Sequence, residues 1–227
     1  MSAPKSSKLK YLSSYLFDTV IESFDSPKNG KINVVMLEGK LMVNTRNANQ
    51  SFDGLHFLFQ SIFADLQIEK KPPNKILCFG LGGGSIVHIL KNELKILGQV
   101  TVVEYDEIMV EIANKYFDLQ LFNNQDVITE DAFVYASEQA HKNTFDLIIV
   151  DLFEDNKAVE KIYDAAFNEQ LLQMCPHGTI IINTICYTKI QENQTQKLLG
   201  FYQNQGLDCV VKTFPISNKN KVLIVNT

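Results

Sequence analysis

The sequence predicts an α/β fold, a mostly parallel sheet with helices on both faces, and three observations carry that prediction. From residue 75 onward, apolar runs of strand length alternate with stretches of helical length. The runs KILCF, QVTVVE, FDLIIVDLF and GTIIINTI are apolar at consecutive positions, as strands buried between two helix layers are. The last two runs, LDCVVKTF and KVLIVN, are separated only by residues 215–220, a hairpin length, so one strand should run antiparallel to the rest.

Taken in order, residues 1–52 hold three short strand candidates, DTVIESF, KINVVML and KLMVNT. They are joined by SPKNG and by Glu38-Gly39, whose glycines suit turns. This reads as a small β-hairpin cap. A connecting helix in SFDGLHFLFQSIFADL and the break KKPPNK occupy residues 53–74, and the main domain is expected over 75–227. Within it, helices are expected over roughly 84–97, 107–117, 132–141, 158–174 and 189–204, with DVIT as a short third strand. Seven strands with a terminal hairpin describe the class I methyltransferase sheet, a Rossmann-like mixed sheet, better than a dinucleotide-binding dehydrogenase. The strict G-x-G-x-x-G of the latter is absent, because Ser85 stands three residues after Gly82.

Composition narrows the function classes. A chain of 227 residues with 45% hydrophobic residues can bury one sizeable core. Its net charge of −5 and single arginine, Arg46, give no basic surface for a phosphate backbone, so no nucleic-acid partner is expected. No apolar run of transmembrane length and no signal-type segment occurs, which reads as a cytoplasmic protein without a membrane partner. Cys78, Cys175, Cys186 and Cys209 lack C-x-x-C spacing and read as buried thiols. The four histidines are scattered, with no zinc-site signature, and no metal is expected. His56 and His88 read as packing residues, and Phe52, Phe57, Phe59 and Phe63 as the packed face of the cap helix.

The segment KILCFGLGGGSIVHIL places Gly80, Gly82, Gly83 and Gly84 between a strand and a helix, where backbone N–H groups can approach a nucleoside unobstructed by β-carbons. Glu104 ends the next strand about twenty residues later, where an acidic side chain can accept hydrogen bonds from both ribose hydroxyls. Asp131 follows the third strand at the rim expected for adenine, with Ala132 leaving room for the ring; a helix cap is the other reading of Asp131. Asp151 leaves the fourth strand where such sheets place their chemistry, and can orient or deprotonate a nucleophile. Glu154 and Asp155 add negative charge beside it.

Together KILCFGLGGG, VTVVEYDEIMVEIANKYF and ITEDAFVYASEQAHKNTFDLIIVDLF resemble the spermidine synthase family of polyamine aminopropyltransferases. The resemblance implies that Glu104 binds ribose, Asp131 binds adenine, and Asp151 is the base of a D-x-x-D loop. The implied reaction moves an aminopropyl group from decarboxylated S-adenosylmethionine to an amine such as putrescine, leaving methylthioadenosine. The sequence departs from the family pattern at Gly83, where the family's glycine motif carries an acidic residue, at Glu154 for the second Asp, and at Met42 for a Gln. Its tyrosine–histidine pair is replaced by NQSFDGLHF. These departures keep two alternatives open: methyl transfer from S-adenosylmethionine to a small or protein acceptor, and a nucleoside-binding homologue without turnover. The hairpin cap is also a candidate homodimer surface.

Overall fold

The computed structural model describes residues 8–45, 54–140, 142, 144–154, 157–215 and 217–227. Asp155, Phe52 and Arg46, singled out above, and His141 lie outside the described residues.

The chain opens with a short helix that the sequence did not suggest, α1 (Lys8–Ser13), followed by β1 (Thr19–Ser26), β2 (Gly30–Leu37) and β3 (Lys40–Asn44). These strands form a separate antiparallel sheet in the order β1-β2-β3. The β2–β3 turn has two central residues with positive φ, Glu38 at 49° and Gly39 at 75°, the geometry that matches the twist of a tight hairpin. Ile32, Val34 and Val43 of this sheet pack on Met109 and Ile112. The sheet thereby rests on a helix of the larger unit.

Helix α2 (Gly54–Asp65) buries Leu58, Phe59, Ile62 and Phe63, whereas Phe57 is exposed, so the expected phenylalanine row does not share one face. Then follow β4 (Lys75–Phe79), α3 (Ser85–His88), β5 (Gln99–Glu104), α4 (Glu107–Tyr116), β6 (Gln125–Thr129), α5 (Ala132–Gln139) and β7 (Leu147–Val150). A small hairpin, β8 (Phe153–Glu154) with β9 (Lys157–Ala158), leads through a 3₁₀ turn at Glu160–Tyr163 to α6 (Ala165–Met174). The helix expected over 158–174 therefore begins late. β10 (Thr179–Ile185), α7 (Lys189–Gln203), β11 (Asp208–Phe214) and β12 (Ser217–Asn226) complete the chain. A capping box, in which Thr188 and Gln191 satisfy each other's backbone N–H groups, fixes the start of α7.

The seven-stranded sheet has the order β11-β12-β10-β7-β4-β5-β6. β10, β7, β4, β5 and β6 are mutually parallel, and β12 runs antiparallel to both its neighbours. This is the Rossmann-like class I methyltransferase sheet. Every residue of β7 is buried, as are Ile76–Phe79 of β4. One face packs with α2 and α3 through residues such as Phe59, Ile76 and Ile149, the other with α5, α6 and α7 through Phe79, Phe167 and Tyr202. Each such apolar side chain contributes about 1.5–3 kcal/mol. Cys78, Cys175 and Cys186 are buried, but Cys209 on edge strand β11 is only partly so; all four are free thiols.

Instead of one helix over 84–97, the chain makes a single α turn and then a π-helical turn, Ile89–Glu93, closed by Leu94 N–H donating to the Ile89 carbonyl at 2.9 Å. No helix among the described residues is long and apolar enough to cross a membrane.

Candidate functional site

Strands β5 and β6 lie on one side of β4, β7 and β10 on the other, so the carboxyl ends of β4 and β7 flank the point where the chain order reverses. Crevices for ligands form at such points. Gly80 ends β4 here with φ 95°, and its N–H donates to the Val103 carbonyl at 2.9 Å. A β-carbon at Gly80 would collide with the Asp151 carbonyl oxygen. Gly84, with φ 83°, is the residue from which α3 departs. Gly82 also has a positive φ, 51°, so three of the four glycines answer to backbone geometry. Because α3 is a single turn, its dipole is a weaker anion attractor than the full helix expected from the sequence.

A cavity of about 420 Å³ opens over these strand ends. Gly80, Gly82, Glu104, Asp131, Ala132, Asp151 and Glu154 all line it; Gly83 and Gly84 do not. Residues that the sequence did not nominate join them: Asn29 from the β1–β2 turn, Tyr105, Glu130, Phe133, Glu160 and Lys161. Among its lining side chains, Glu104, Glu130, Asp131, Asp151, Glu154 and Glu160 face a single cation, Lys161, whose ammonium sits 5.2 Å over the Phe133 ring. Such a cavity suits a cationic ligand.

Glu104 is buried at 8% exposure, and each oxygen already accepts a backbone N–H: Leu81 in the glycine loop at 2.9 Å and Asp106 at 3.0 Å. Burial raises its pKa, and these two bonds offset part of the rise. A carboxylate oxygen has a second lone-pair site, so capacity remains for ribose hydroxyls. The same carboxylate therefore shapes the loop and lines the cavity. Asp131 joins both readings offered by the sequence: it caps α5 by accepting the Phe133 N–H at 2.8 Å, and it lines the cavity.

Asp106, two residues beyond Glu104, is almost wholly buried. It accepts from Ser26 Oγ at 2.6 Å, Asn29 Nδ2 at 2.6 Å and its own helix at Ile108 N–H, 3.0 Å. It thus ties the N-terminal hairpin to the cavity floor and fixes Asn29 at its edge.

Asp151 is partly buried and its carboxyl is pushed up to about 6 by burial, against which the hydrogen bond from Asn183 Nδ2, 2.8 Å, works. Asn183 Oδ1 in turn accepts from Asn220 Nδ2 at 2.9 Å, so β10 and β12 orient the carboxyl through two buried amides. The signal for Asn183 was present in GTIIINTI, where one amide interrupts an otherwise apolar strand. Met42, at the position of the resembled family's Gln, is buried in β3 and does not line the cavity.

The sequence model of the family described as "Spermine/spermidine synthase domain" matches residues 56–225. A polyamine aminopropyltransferase of Vibrio vulnificus is 31% identical over 125 residues, 54% of this chain and 42% of that enzyme's length. The chain therefore matches less than half of that relative. Among solved structures, a probable spermidine synthase from Corynebacterium glutamicum superposes with a TM-score of 0.68 at 15% identity, covering 90% of this chain and 79% of the other. Human methyltransferase-like protein 13, solved in complex with SAH, gives 0.65 at 18% identity, with 77% and 82% covered. At these identities the two structures speak to fold alone, whereas the family match extends over three quarters of the sequence. The chain belongs to the spermine/spermidine synthase domain family.

Proposed function

We propose that the protein is an aminopropyltransferase that uses decarboxylated S-adenosylmethionine and a small amine such as putrescine. One observation carries this reading: a carboxyl held near 6, Asp151, stands in a cavity where six carboxylates meet one lysine. A sulfonium donor without a carboxylate and a polyamine acceptor are both cations, and both gain from that lining.

In this reading the adenosine half lies along Gly80 and Gly82, with Glu104 accepting from the ribose hydroxyls and Asp131 and Ala132 flanking adenine. Gly83 and Gly84 shape the loop. The amine nitrogen, held by Glu154, attacks the methylene carbon beside the positive sulfur. The C–N bond forms as the C–S bond breaks, its electron pair returning to sulfur and releasing methylthioadenosine. Asp151 takes the proton that the nitrogen sheds, a role that needs a pKa near the working pH. Alignment of the two reactants supplies most of the rate, because the sulfonium already makes the carbon electrophilic.

Gly83 favours a second reading, methyl transfer from S-adenosylmethionine, since it removes a carboxylate that would repel that donor's own. Calorimetric titration with decarboxylated S-adenosylmethionine, S-adenosylmethionine and methylthioadenosine separates the two. Tighter binding of the decarboxylated donor, with methylthioadenosine released when putrescine is added, is expected. Tighter binding of S-adenosylmethionine moves the protein to methyl transfer, and binding without any turnover makes it a nucleoside-binding homologue.

A further inference from the structure

Two of the four histidines, far apart in sequence, meet at a second place in the fold. His56, in the first turn of α2, and His88, at the end of α3, both turn a ring nitrogen toward one oxygen of Glu93. His56 Nε2 lies 2.8 Å and His88 Nδ1 3.3 Å from Glu93 Oε1, and the three ligand atoms all lie within 4.8 Å of one another. None of the three lines the cavity described above. We propose that His56, His88 and Glu93 form a binding site for one divalent first-row transition metal ion, with zinc the best match to the donor set.

Donor chemistry is the first support. Two imidazoles and a carboxylate are a recurrent zinc set, and metal–ligand bonds of about 2.0–2.2 Å in tetrahedral geometry separate ligand atoms by roughly 3.2–3.5 Å. The His56–Glu93 and His88–Glu93 separations, 2.8 and 3.3 Å, reach that spacing with an adjustment of up to roughly half an ångström. Three protein ligands leave a position for water.

Local backbone geometry is the second. In an α-helix residues five apart point about 140° away from each other. The π-helical turn Ile89–Glu93 closes a wider ring, so that Glu93 returns to the side of His88. π turns are rare and are found frequently at functional sites.

The surroundings are the third. Gln60 Nε2 donates to Glu93 Oε2 at 2.6 Å, fixing the carboxylate with its other oxygen toward the rings. Asn92 Nδ2 lies 3.0 Å from His88 Nε2, the ring nitrogen that a metal on Nδ1 would leave as donor, and turning the amide over brings its oxygen to accept that N–H. The side chains are 12%, 13% and 30% exposed, which leaves an entry path past Glu93. The ion would staple α2 to the turn that follows the glycine loop.

The test needs no assay of activity. The full chain, freed of metal with a chelator, is titrated with Co²⁺ and with Zn²⁺. One equivalent of Co²⁺ should give the intense visible bands of a four- or five-coordinate site, and Zn²⁺ should raise Tm by several degrees. His56→Asn, His88→Asn and Glu93→Gln should each lose the bands and the Zn²⁺ shift, while His177→Asn, at an exposed turn histidine, retains both. Circular dichroism and the metal-free Tm of each variant establish that it is folded; a variant that fails there is replaced by His88→Gln or Glu93→Ala. Only the weak bands of hydrated cobalt in the wild type, or an equal Zn²⁺ shift in folded variants, would overturn the proposal and leave a hydrogen-bonded cluster. The result is independent of the proposed transferase reaction.

Discussion

Burial that lifts the Asp151 carboxyl to about 6 makes the group a base near neutrality and, at the same time, a charge that the fold holds at a cost. A carboxyl whose folded pKa is raised binds its proton more tightly in the native than in the unfolded chain. Its cost is therefore present in full above pH 6 and disappears as pH falls through 6 toward the ordinary 3.8. Asp151→Asn should remove turnover by at least about a hundredfold while raising stability at pH 7 by about 1–3 kcal/mol. Urea melts at pH 7 and pH 4 test this, because the gain should shrink at the lower pH. Turnover of the wild type should fall about tenfold per pH unit below 6, read from kcat/KM across pH 5–8. Gly80→Ala should cost about 2–5 kcal/mol, from positive φ and from the clash with the Asp151 carbonyl, and thermal melting would show it. Glu104, Asp131 and Asp151 were legible as neighbours at the strand ends because each ends a strand or opens a helix, positions that periodicity fixes, and all three line the cavity. Asn183 showed only as an amide in an apolar strand, its partner 32 residues away, and Asn29 gave no signal, since its partner lies 77 residues away along the chain.

The hairpin β1–β2 and helix α4 depend on each other through one buried carboxylate. Asp106 accepts from Ser26 and Asn29, and an acceptor of that kind left short of donors costs about 1–3 kcal/mol for each bond lost. The double variant Ser26→Ala/Asn29→Ala should be destabilised by about 2–4 kcal/mol, and hydrogen exchange should quicken across Thr19–Leu37 more than in β4 or β7. Equal acceleration everywhere would show that the tie is not local. Strand existence was readable here because runs such as KILCF and GTIIINTI are too apolar to lie at a surface. The break of the first post-glycine helix into α and π turns was not, because SIVHILKNELK satisfies helical spacing throughout and tertiary contacts decide how its last turn closes. The β8–β9 hairpin escaped for a related reason: its two residues per strand are shorter than any alternation that a sequence can display.

Across the molecule the net charge of −5 is concentrated where it acts, since six of the acidic side chains share one cavity. Binding of a dicationic amine should weaken several-fold between low and high salt, whereas binding of uncharged methylthioadenosine should change little. Calorimetry at the two ionic strengths checks this, and parallel losses for both ligands would refute an electrostatic origin. The overall sheet was foreseeable from strand count and the terminal hairpin; the cavity's charge was foreseeable only in part, because Glu130, before α5, and Glu160, in the 3₁₀ turn, join Glu154 through contacts that only the fold assembles. The order of that sheet also bears on how the chain is made. β12 lies between β10 and β11, so β11 leaves the ribosome before the strand that will join it to the sheet. Until β12 follows, Asn183 lacks Asn220, and the Asp151 carboxyl is held by an amide that is itself not held. A chain arrested between the two strands would carry nearly all its cavity-lining residues and an unpaired sheet edge along β10, so translation itself withholds the finished cavity until the strand that locks it has been delivered.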